Sequence, residues 1–325
     1  MVPSIVKRRL FGCILAGLSF AGCVGATTPS SAPYDQERPG VWTVLAPMPS
    51  ERGEVAVAEA GGQVYVIGGF GDWLQPVGSV EAYDPATNRW TGRIPLPIAV
   101  HHAAAVGLNG KVYVIGGFTG QVAWTARQEL FEYDPGENVW RQKAPMPTPR
   151  GASAAAVLGG KIHVLGGTTD RVTNAHEVYD PATNAWSRRN PMPTARDHHA
   201  LVALGGKLYA IGGRDSFFTA YPNVEVYDPA TDSWRVAAPL ETGRGGLAAA
   251  MLDGKIYVFG GELPFRIFNA TEMYDPATDS WISKAPLPTP RHGTGAVTLG
   301  RRIYVMAGGP QPGPSRSGAN EAFEP

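Results

Sequence analysis

The sequence predicts an all-β protein in which six four-stranded antiparallel sheets stand around a common axis as the blades of a β-propeller. One octet, Tyr-Asp-Pro-x-x-Asn/Asp-x-Trp, occurs five times, at residues 83–90, 133–140, 179–186, 227–234 and 274–281. Five apolar runs that end in Gly-Gly repeat at steps of 46 to 50 residues, with first glycines Gly68, Gly116, Gly166, Gly212 and Gly260, and a sixth run at 303–309 keeps the rhythm. Short runs rich in Val, Ile and Tyr at a period near fifty indicate four strands per unit. Radial repetition of such sheets is a propeller.

Residues 1–22 are predicted to be an export signal rather than part of the fold. Basic residues at 7–9 precede an apolar stretch, 10–22, that is too short to span a bilayer comfortably. The letters FAGC that end at Cys23 resemble a bacterial lipobox, which favours acylation of Cys23, and ordinary cleavage near the following VGA is the open alternative. Residues 23–40 are rich in Pro, Ser and Thr and are interpreted as a flexible tether. We therefore expect an exported protein, periplasmic or at the cell surface, which would contact a membrane only through a lipid on Cys23 if that residue is acylated.

The propeller is predicted to span residues 41–325 and to close by pairing its two chain ends. Each unit contains an Ala/Val-rich strand, the Gly-Gly strand, a Glu-x-Tyr-Asp-Pro strand and the Trp strand. The last unit ends in EAFEP at 321–325 without a Trp strand, whereas Trp42 belongs to no octet. We expect the strand around Trp42 to complete the sixth blade, which leaves no exposed sheet edge at the seam.

The octet and the glycine pair are predicted to have structural roles. Proline at the third octet position presets φ for a tight turn, and the Asn or Asp two residues before the Trp tolerates a left-handed backbone. The Trp side chain fills the space between adjacent sheets, where its indole N–H needs a partner. Glycine permits positive φ or close backbone approach at the end of the second strand. These residues predict the architecture and say nothing of the function.

Gly-Gly, then Tyr-Asp, then Trp at this spacing resembles the kelch repeat, and the resemblance covers residues 42–325. It implies that the glycine pair ends the second strand and that the Trp lies on the outer strand of each blade. In this strand order, the loop before the innermost strand and the loop after Gly-Gly emerge on one face, around the mouth of the central channel. Galactose oxidase, another kelch protein, uses a copper site with a Cys-crosslinked Tyr. No Cys lies within residues 41–325, so that chemistry is excluded here.

Arginines recur in the loops before the innermost strands. In five of the six units an Arg lies sixteen residues before the first residue of the glycine motif: Arg52, Arg150, Arg196, Arg244 and Arg291. The second unit has Val100 at this position, and in the last unit Ala307 replaces the first glycine of the motif. Kelch proteins commonly carry Arg at this position. One interpretation is a conformational role in bonding loop carbonyls, and the other is a ring of cations that makes the mouth an anion-binding site.

Glu54, His102 and His198 share one position in this frame, two residues after the arginine position. A closed ring would gather them around one mouth, where such groups suit a metal or an acid–base pair. No HxH or HExxH spacing supports a metal, so we expect neither a metal nor another cofactor.

The loops after Gly-Gly are rich in aromatic residues. As a set, and with Arg214, Arg266 and Asp215 among them, they predict a recognition surface on the mouth face. The candidate binding residues are Trp73, Trp124, Phe217, Phe218, Tyr221 and Phe265.

The expected function is that of a monomeric, non-catalytic binding module for a protein, a peptide or a carbohydrate. Basic and acidic residues both number 28, and loss of the leader leaves a slight negative excess, so no basic patch indicates nucleic acid. No nucleophile elbow or phosphate loop is present. The alternative is a sugar mutarotase, because exported bacterial six-bladed kelch proteins include sialic acid mutarotases. Glu54, His102 and His198 would then supply acid–base chemistry, and the arginines would hold the carboxylate.

Overall fold

The computed structural model describes residues 32–216 and 218–325, which contain six four-stranded antiparallel sheets. Each of the first five blades is one continuous segment, and the sixth joins both ends of the chain. The strands are given from the innermost outwards. Blade one contains Ala56–Ala60, Gln63–Ile67, Val80–Asp84 and Arg89–Arg93; blade two contains Ala104–Leu108, Lys111–Ile115, Leu130–Asp134 and Val139–Lys143; and blade three contains Ala154–Leu158, Lys161–Leu165, His176–Asp180 and Ala185–Arg188. Blade four contains Ala200–Leu204, Lys207–Ile211, Val224–Asp228 and Ser233–Ala237; blade five contains Ala248–Leu252, Lys255–Phe259, Thr271–Asp275 and Ser280–Ser283; and blade six contains Gly295–Leu299, Arg302–Met306, Asn320–Glu324 and Val41–Val44. The predicted six-bladed, all-β fold is confirmed.

Short elements decorate the loops that follow the glycine pairs. Three of these loops carry two-stranded hairpins, which pair Phe118–Thr119 with Thr125–Ala126, Arg214–Ser216 with Thr219–Ala220, and Glu262–Leu263 with Arg266–Ile267. Helical structure in the described part of the chain is confined to one 3-10 turn, Asp72–Leu74. No helix among these residues is long and apolar enough to cross a membrane. The predicted signal, 1–22, and Cys23 lie outside the described residues.

The octet connects each blade to the blade before it through two hydrogen bonds to a single residue. In blade one, the Asn88 carboxamide oxygen accepts the Ala46 backbone N–H at 2.9 Å, and the Trp90 indole donates to the Ala46 carbonyl at 2.8 Å. Tyr83 fixes the Asn88 side chain with a hydroxyl bond of 2.7 Å, and Asn88 has the left-handed φ of 53° that the turn was predicted to need. We call this pair of bonds the blade clamp. The other four octets repeat it on Ile94, Ala144, Asn190 and Ala238.

The seam between blades five and six uses a modified clamp because no octet ends blade six. Trp42 pairs across the sheet with Phe323, and its indole donates to the Ala285 carbonyl at 2.8 Å. The Ala285 N–H, which an octet Asn or Asp would bind, donates instead to the Pro39 carbonyl at 2.7 Å. The predicted closure of the ring by its two ends is therefore present, with a backbone carbonyl in place of the missing side chain.

The part of the predicted tether that the structure describes, residues 32–40, pairs with the outer edge of blade five. Asp35 accepts a 2.6 Å bond from the Lys284 ammonium, and its backbone N–H donates to the Ser283 carbonyl at 2.9 Å. Ser283 in turn donates to the Pro33 carbonyl at 2.8 Å. The composition of the segment before Trp42, rich in Pro and Ser, predicted flexibility. The open edge of blade five supplies backbone partners for this segment that composition alone does not reveal.

The hydrophobic core lies between neighbouring blades rather than at the propeller axis. One cluster joins Tyr65 and Ala82 of blade one to Val112 and Tyr133 of blade two, and equivalent clusters fill the other interfaces. Each blade thus stabilises two neighbours, and stability depends on a complete ring.

Replacing Trp42 with Ala is expected to destabilise the whole propeller. Trp42 is half-buried, lies 5.0 Å in ring centroid distance from Phe323 and 5.6 Å from Phe259, and donates the seam hydrogen bond. We expect Trp42→Ala to lower the free energy of unfolding by about 2–4 kcal/mol, somewhat less than the loss for a fully buried Trp. Urea unfolding measures this change. Val44→Ala, at an exposed position of the same strand, is the control. Equal stability of Trp42→Ala and wild type would contradict closure at this seam.

Candidate functional site

Six equivalent positions, one per blade, form a closed backbone ring at the mouth of the central channel. They lie just before the innermost strands, and five of the six links run from the N–H of one position to the carbonyl of the preceding one. In these five links the backbone N–H of His102 donates to the Glu54 carbonyl at 3.0 Å, that of Ala152 to His102 at 2.8 Å, that of His198 to Ala152 at 3.0 Å, that of Gly246 to His198 at 2.9 Å and that of Gly293 to Gly246 at 2.9 Å. In the sixth link the backbone N–H of Val55, the residue after Glu54, donates to the Gly293 carbonyl at 3.4 Å. All six have left-handed backbones, with φ between 52° and 66°. We call this set the mouth ring.

The side chains of the mouth ring make the site asymmetric. Glu54, His102 and His198 bring ionisable groups, whose potential ligand atoms all lie within 4.8 Å of one another. Ala152, Gly246 and Gly293 leave space, and a cavity of about 100 Å³ lies between the two sets. The structure thus brings together the three residues that the sequence placed at one position of the repeat.

Glu54 is the electrostatic centre of this cluster. One carboxylate oxygen lies 3.2 Å from His102 Nε2, and the other lies 3.3 Å from His292 Nδ1. Burial opposes ionisation of Glu54, but the histidines around the carboxylate, among them His292 on one oxygen, outweigh burial and hold the pKa of the carboxyl well below its usual range. Burial alone would lower the pKa of His292, yet the carboxylates of Glu54 and Glu262 raise it. Glu54 and His292 therefore form a buried ion pair.

His101 and His102 form a second contact at the mouth. Their Nδ1 atoms lie 2.5 Å apart, and His101 Nε2 is 3.3 Å from the Gly120 carbonyl. Burial lowers the pKa of His101 to about 4 and that of His102 well below its usual value. Both rings are therefore neutral at neutral pH.

Arg214 and Glu262 complete the mouth. The sequence placed Arg214 on the mouth face but not beside the ring, and it did not single out Glu262. Arg214 donates to Glu262 at 2.9 Å and to His198 Nε2 at 3.1 Å, while His198 Nδ1 lies 2.7 Å from Asp197. Both residues directly follow a Gly-Gly pair, and each forms an isolated bridge with the residue just before the mouth ring in its own blade. The residue after Gly-Gly is thus a second repeat position that faces the mouth, and alignment of the repeats reveals it.

The five arginines do not line the mouth, so their prediction as ligand-binding residues is wrong. Each is 0–1% exposed and forms an ion pair with a glutamate on the third strand of its own blade. The pairs are Arg52–Glu81 at 2.7 Å, Arg150–Glu177 at 2.6 Å, Arg196–Glu225 at 3.0 Å, Arg291–Glu321 at 2.5 Å, and Arg244–Glu272. The guanidinium groups also donate to strand carbonyls, as Arg150 does to Val164 at 3.2 Å. The conformational interpretation fits this geometry.

Blade two shows what replaces the buried ion pair. In the other blades a Ser or Thr two residues before the Arg accompanies the pair, and in blade three Thr148 donates to Glu177 at 2.8 Å. The three equivalent residues of blade two are all apolar: Ile98, Val100 and Phe131. Val100 and Phe131 are buried in the core cluster between blades one and two, and Ile98 packs against it. The three positions therefore change together as one packing unit.

Transplanting this unit into blade three tests the structural role of the arginines. Glu177→Phe alone leaves the Arg150 guanidinium buried without its carboxylate and is expected to cost about 3–5 kcal/mol in the free energy of unfolding. The triple variant Thr148→Ile, Arg150→Val, Glu177→Phe copies blade two and is expected to recover most of that loss, because apolar replacement of a buried pair is often neutral. Urea unfolding compares the two variants. A triple variant as unstable as the single one would contradict this role.

The aromatic candidates separate into an exposed rim and buried supports. The exposed side chains are Trp73 (85%), Trp124 (49%), Phe218 (75%) and Phe265 (80%). Tyr221 is half-buried and donates to Asp215 at 2.7 Å, and Phe217 lies outside the described residues. Phe70, Phe118 and Phe268 are buried and pack the loops down, with Phe70 stacked on His101 at a centroid distance of 4.0 Å. Trp124 contacts the mouth ring directly, because its ring centroid lies 5.1 Å from that of His102.

Two further histidines belong to a blade and not to the mouth. His163 and His176 lie on adjacent strands of blade three, with Nδ1 and Nε2 2.8 Å apart. Burial lowers their pKa values to about 4 and about 3. The position of His163 is Tyr in the other blades, at Tyr65, Tyr113, Tyr209, Tyr257 and Tyr304.

The blades, the repeated glycine pairs and the clamps define a kelch-type propeller. The family model described as "KLHDC2/KLHL20/DRC7 Kelch-repeats domain" matches residues 38–213 and 172–316, and the chain belongs to the kelch-repeat family. A solved structure titled "Structure of YjhT" is similar, with a TM-score of 0.76 and 17% sequence identity over 86% of this chain and 96% of that one. At that identity the likeness concerns the fold alone. Among curated proteins, no relative matches the sequence.

Proposed function

We propose that this protein is a non-catalytic binding module, displayed outside the cytoplasm, that holds a polypeptide partner on the loop face of the propeller. The observation that carries the proposal is the rim of exposed aromatic side chains on four loops of one face: Trp73, Trp124, Phe218 and Phe265. Exposed apolar side chains that gather on one face are typical of interaction sites, and Trp is among the residues enriched at binding hot spots.

The size of the mouth favours a partner that binds mainly through the rim. Its cavity of about 100 Å³ is well below the roughly 300–1,000 Å³ of a site that encloses a small molecule. It has room for one inserted side chain or one sugar substituent. A polypeptide that lies across the aromatic rim and inserts one polar group at the centre fits both features.

Removing the two Trp side chains tests this surface. The full-length chain is immobilised and exposed to peptide and glycan arrays. We expect peptide binding that the Trp73→Ala, Trp124→Ala double variant weakens at least about tenfold, because a buried hot-spot Trp contributes about 2 kcal/mol or more. The matched control is Val44→Ala, Val236→Ala, which removes exposed apolar groups from outer strands. Undiminished peptide binding by the Trp variant, or binding to glycans alone, would contradict the proposal.

A sugar mutarotase is the second candidate, favoured by the acidic and basic groups at the mouth. Glu54, His102 and His198 are gathered there, and Arg214, with 16% of its side chain exposed, takes the carboxylate-binding role first assigned to the buried arginines. This candidate ranks second because Arg214 is already paired with Glu262 and the cavity is small for a sugar ring.

Anomer exchange separates the two candidates. Freshly dissolved α-sialic acid is followed by NMR with and without the full-length chain. A mutarotase accelerates the approach to anomeric equilibrium, and Glu54→Gln abolishes the acceleration while the distant His163→Tyr retains it. Exchange at the uncatalysed rate with the wild-type protein would remove this candidate and leave the binding proposal standing.

A further inference from the structure

We propose that the mouth ring binds a divalent transition-metal ion of the zinc class through Glu54, His102 and His198. The proposal rests on the geometry of these side chains and is independent of the partner proposed above. Glu54 Oε2 and His102 Nε2 are 3.2 Å apart, and atoms from all three residues lie within 4.8 Å of one another. Two ligands of one tetrahedral Zn²⁺, each at about 2.0–2.2 Å, lie roughly 3.3–3.6 Å apart. Glu54 and His102 are already close to that spacing, and the wider separations, up to 4.8 Å, would have to close by about 1 Å around an ion.

The hydrogen bonds of His102 direct a lone pair towards Glu54. The Gly120 carbonyl can only accept, so His101 Nε2 carries the proton and His101 Nδ1 presents a lone pair. His102 Nδ1 must then donate across the 2.5 Å contact, which leaves His102 Nε2 without a proton. That bare nitrogen faces a carboxylate oxygen. Two acceptors at 3.2 Å repel each other unless a cation or a proton lies between them.

His198 has the orientation of a metal-binding histidine. Its Nδ1 donates to the Asp197 carboxylate at 2.7 Å, the outer contact that fixes the tautomer of zinc-bound histidines. Its Nε2 therefore carries a lone pair, which now accepts a bond from Arg214 at 3.1 Å. An ion would replace that bond, and Arg214 would keep its 2.9 Å contact with Glu262.

Each of the three ligands has an outer partner on its second polar atom. His101 contacts His102, Asp197 contacts His198, and His292 lies 3.3 Å from the second oxygen of Glu54. Such partners hold ligands in place before the ion arrives. Two imidazole nitrogens favour zinc-class ions over Mg²⁺ or Ca²⁺. Ala152, Gly246 and Gly293 leave a fourth coordination position open to the cavity.

Metal titration of the full-length chain tests the proposal directly. Zn²⁺ is titrated in competition with a chromophoric chelator, and Co²⁺ is followed by its visible absorption, which reports coordination number. We expect one ion per chain and a four-coordinate Co²⁺ spectrum. His198→Gly and Glu54→Gln are expected to weaken binding by more than about 100-fold, since the loss of an outer partner alone costs about 10–100-fold. Glycine suits position 198 because Gly246 and Gly293 occupy equivalent positions with positive φ.

Three further variants distinguish metal binding at the mouth ring from nonspecific metal binding by other histidines of the chain. Asp197→Asn is expected to weaken binding about 10–100-fold as a positioning residue, and Arg214→Gln to strengthen it by removing a competitor for His198 Nε2. His163→Tyr should bind as wild type does, and thermal unfolding verifies that every variant is folded. Wild-type affinity in His198→Gly or Glu54→Gln, an equal loss in His163→Tyr, or no stoichiometric ion in the wild type would overturn the proposal.

Discussion

The blade clamp is the interaction on which the rest of this molecule depends. A blade buries both of its faces against neighbours, so its stability requires a fixed distance and angle to the next blade. The octet sets both, because Asn88 and Trp90 hold the N–H and the carbonyl of one residue, Ala46, in the preceding blade. Five repetitions and the Pro39 version at the seam close the circle. Only that closure brings loops about fifty residues apart in sequence to a common mouth.

Sequence reasoning succeeded where a residue acts through local backbone geometry and failed where its partner is distant. The turn at Asn88 and the strand at Trp42 follow from local rules. The role of Arg150 does not follow from local rules, because its partner Glu177 lies on another strand and the burial of a side chain cannot be read from one amino-acid sequence. One signal was nevertheless available: in blade two the Arg position is Val100 and the Glu position is Phe131, and such a joint change indicates contact.

Departures from the repeat show where the scaffold has been specialised. The mouth-ring position requires a left-handed backbone, which costs a non-glycine residue roughly 1–2 kcal/mol. Gly246 and Gly293 adopt this backbone conformation without that cost, whereas it is unfavourable for Glu54, His102 and His198. Ala152 adopts it as well without carrying a reactive group, so backbone strain by itself does not identify function. The three polar residues are distinguished by convergence on one cavity together with an outer partner for each.

Charge compensation explains why the mouth suits a cation better than an anion. Every buried arginine of the blades is neutralised by its own glutamate, so none of that positive charge reaches the channel. Around the mouth, among the described residues, the formal charges of Glu54, Asp197 and Glu262 face those of Arg214 and a protonated His292, whose pKa Glu54 and Glu262 raise. The net formal charge of these five groups is therefore −1, and it lies in a low-dielectric cavity where solvent screens it poorly. An anionic ligand must overcome that charge, whereas a bound cation compensates it.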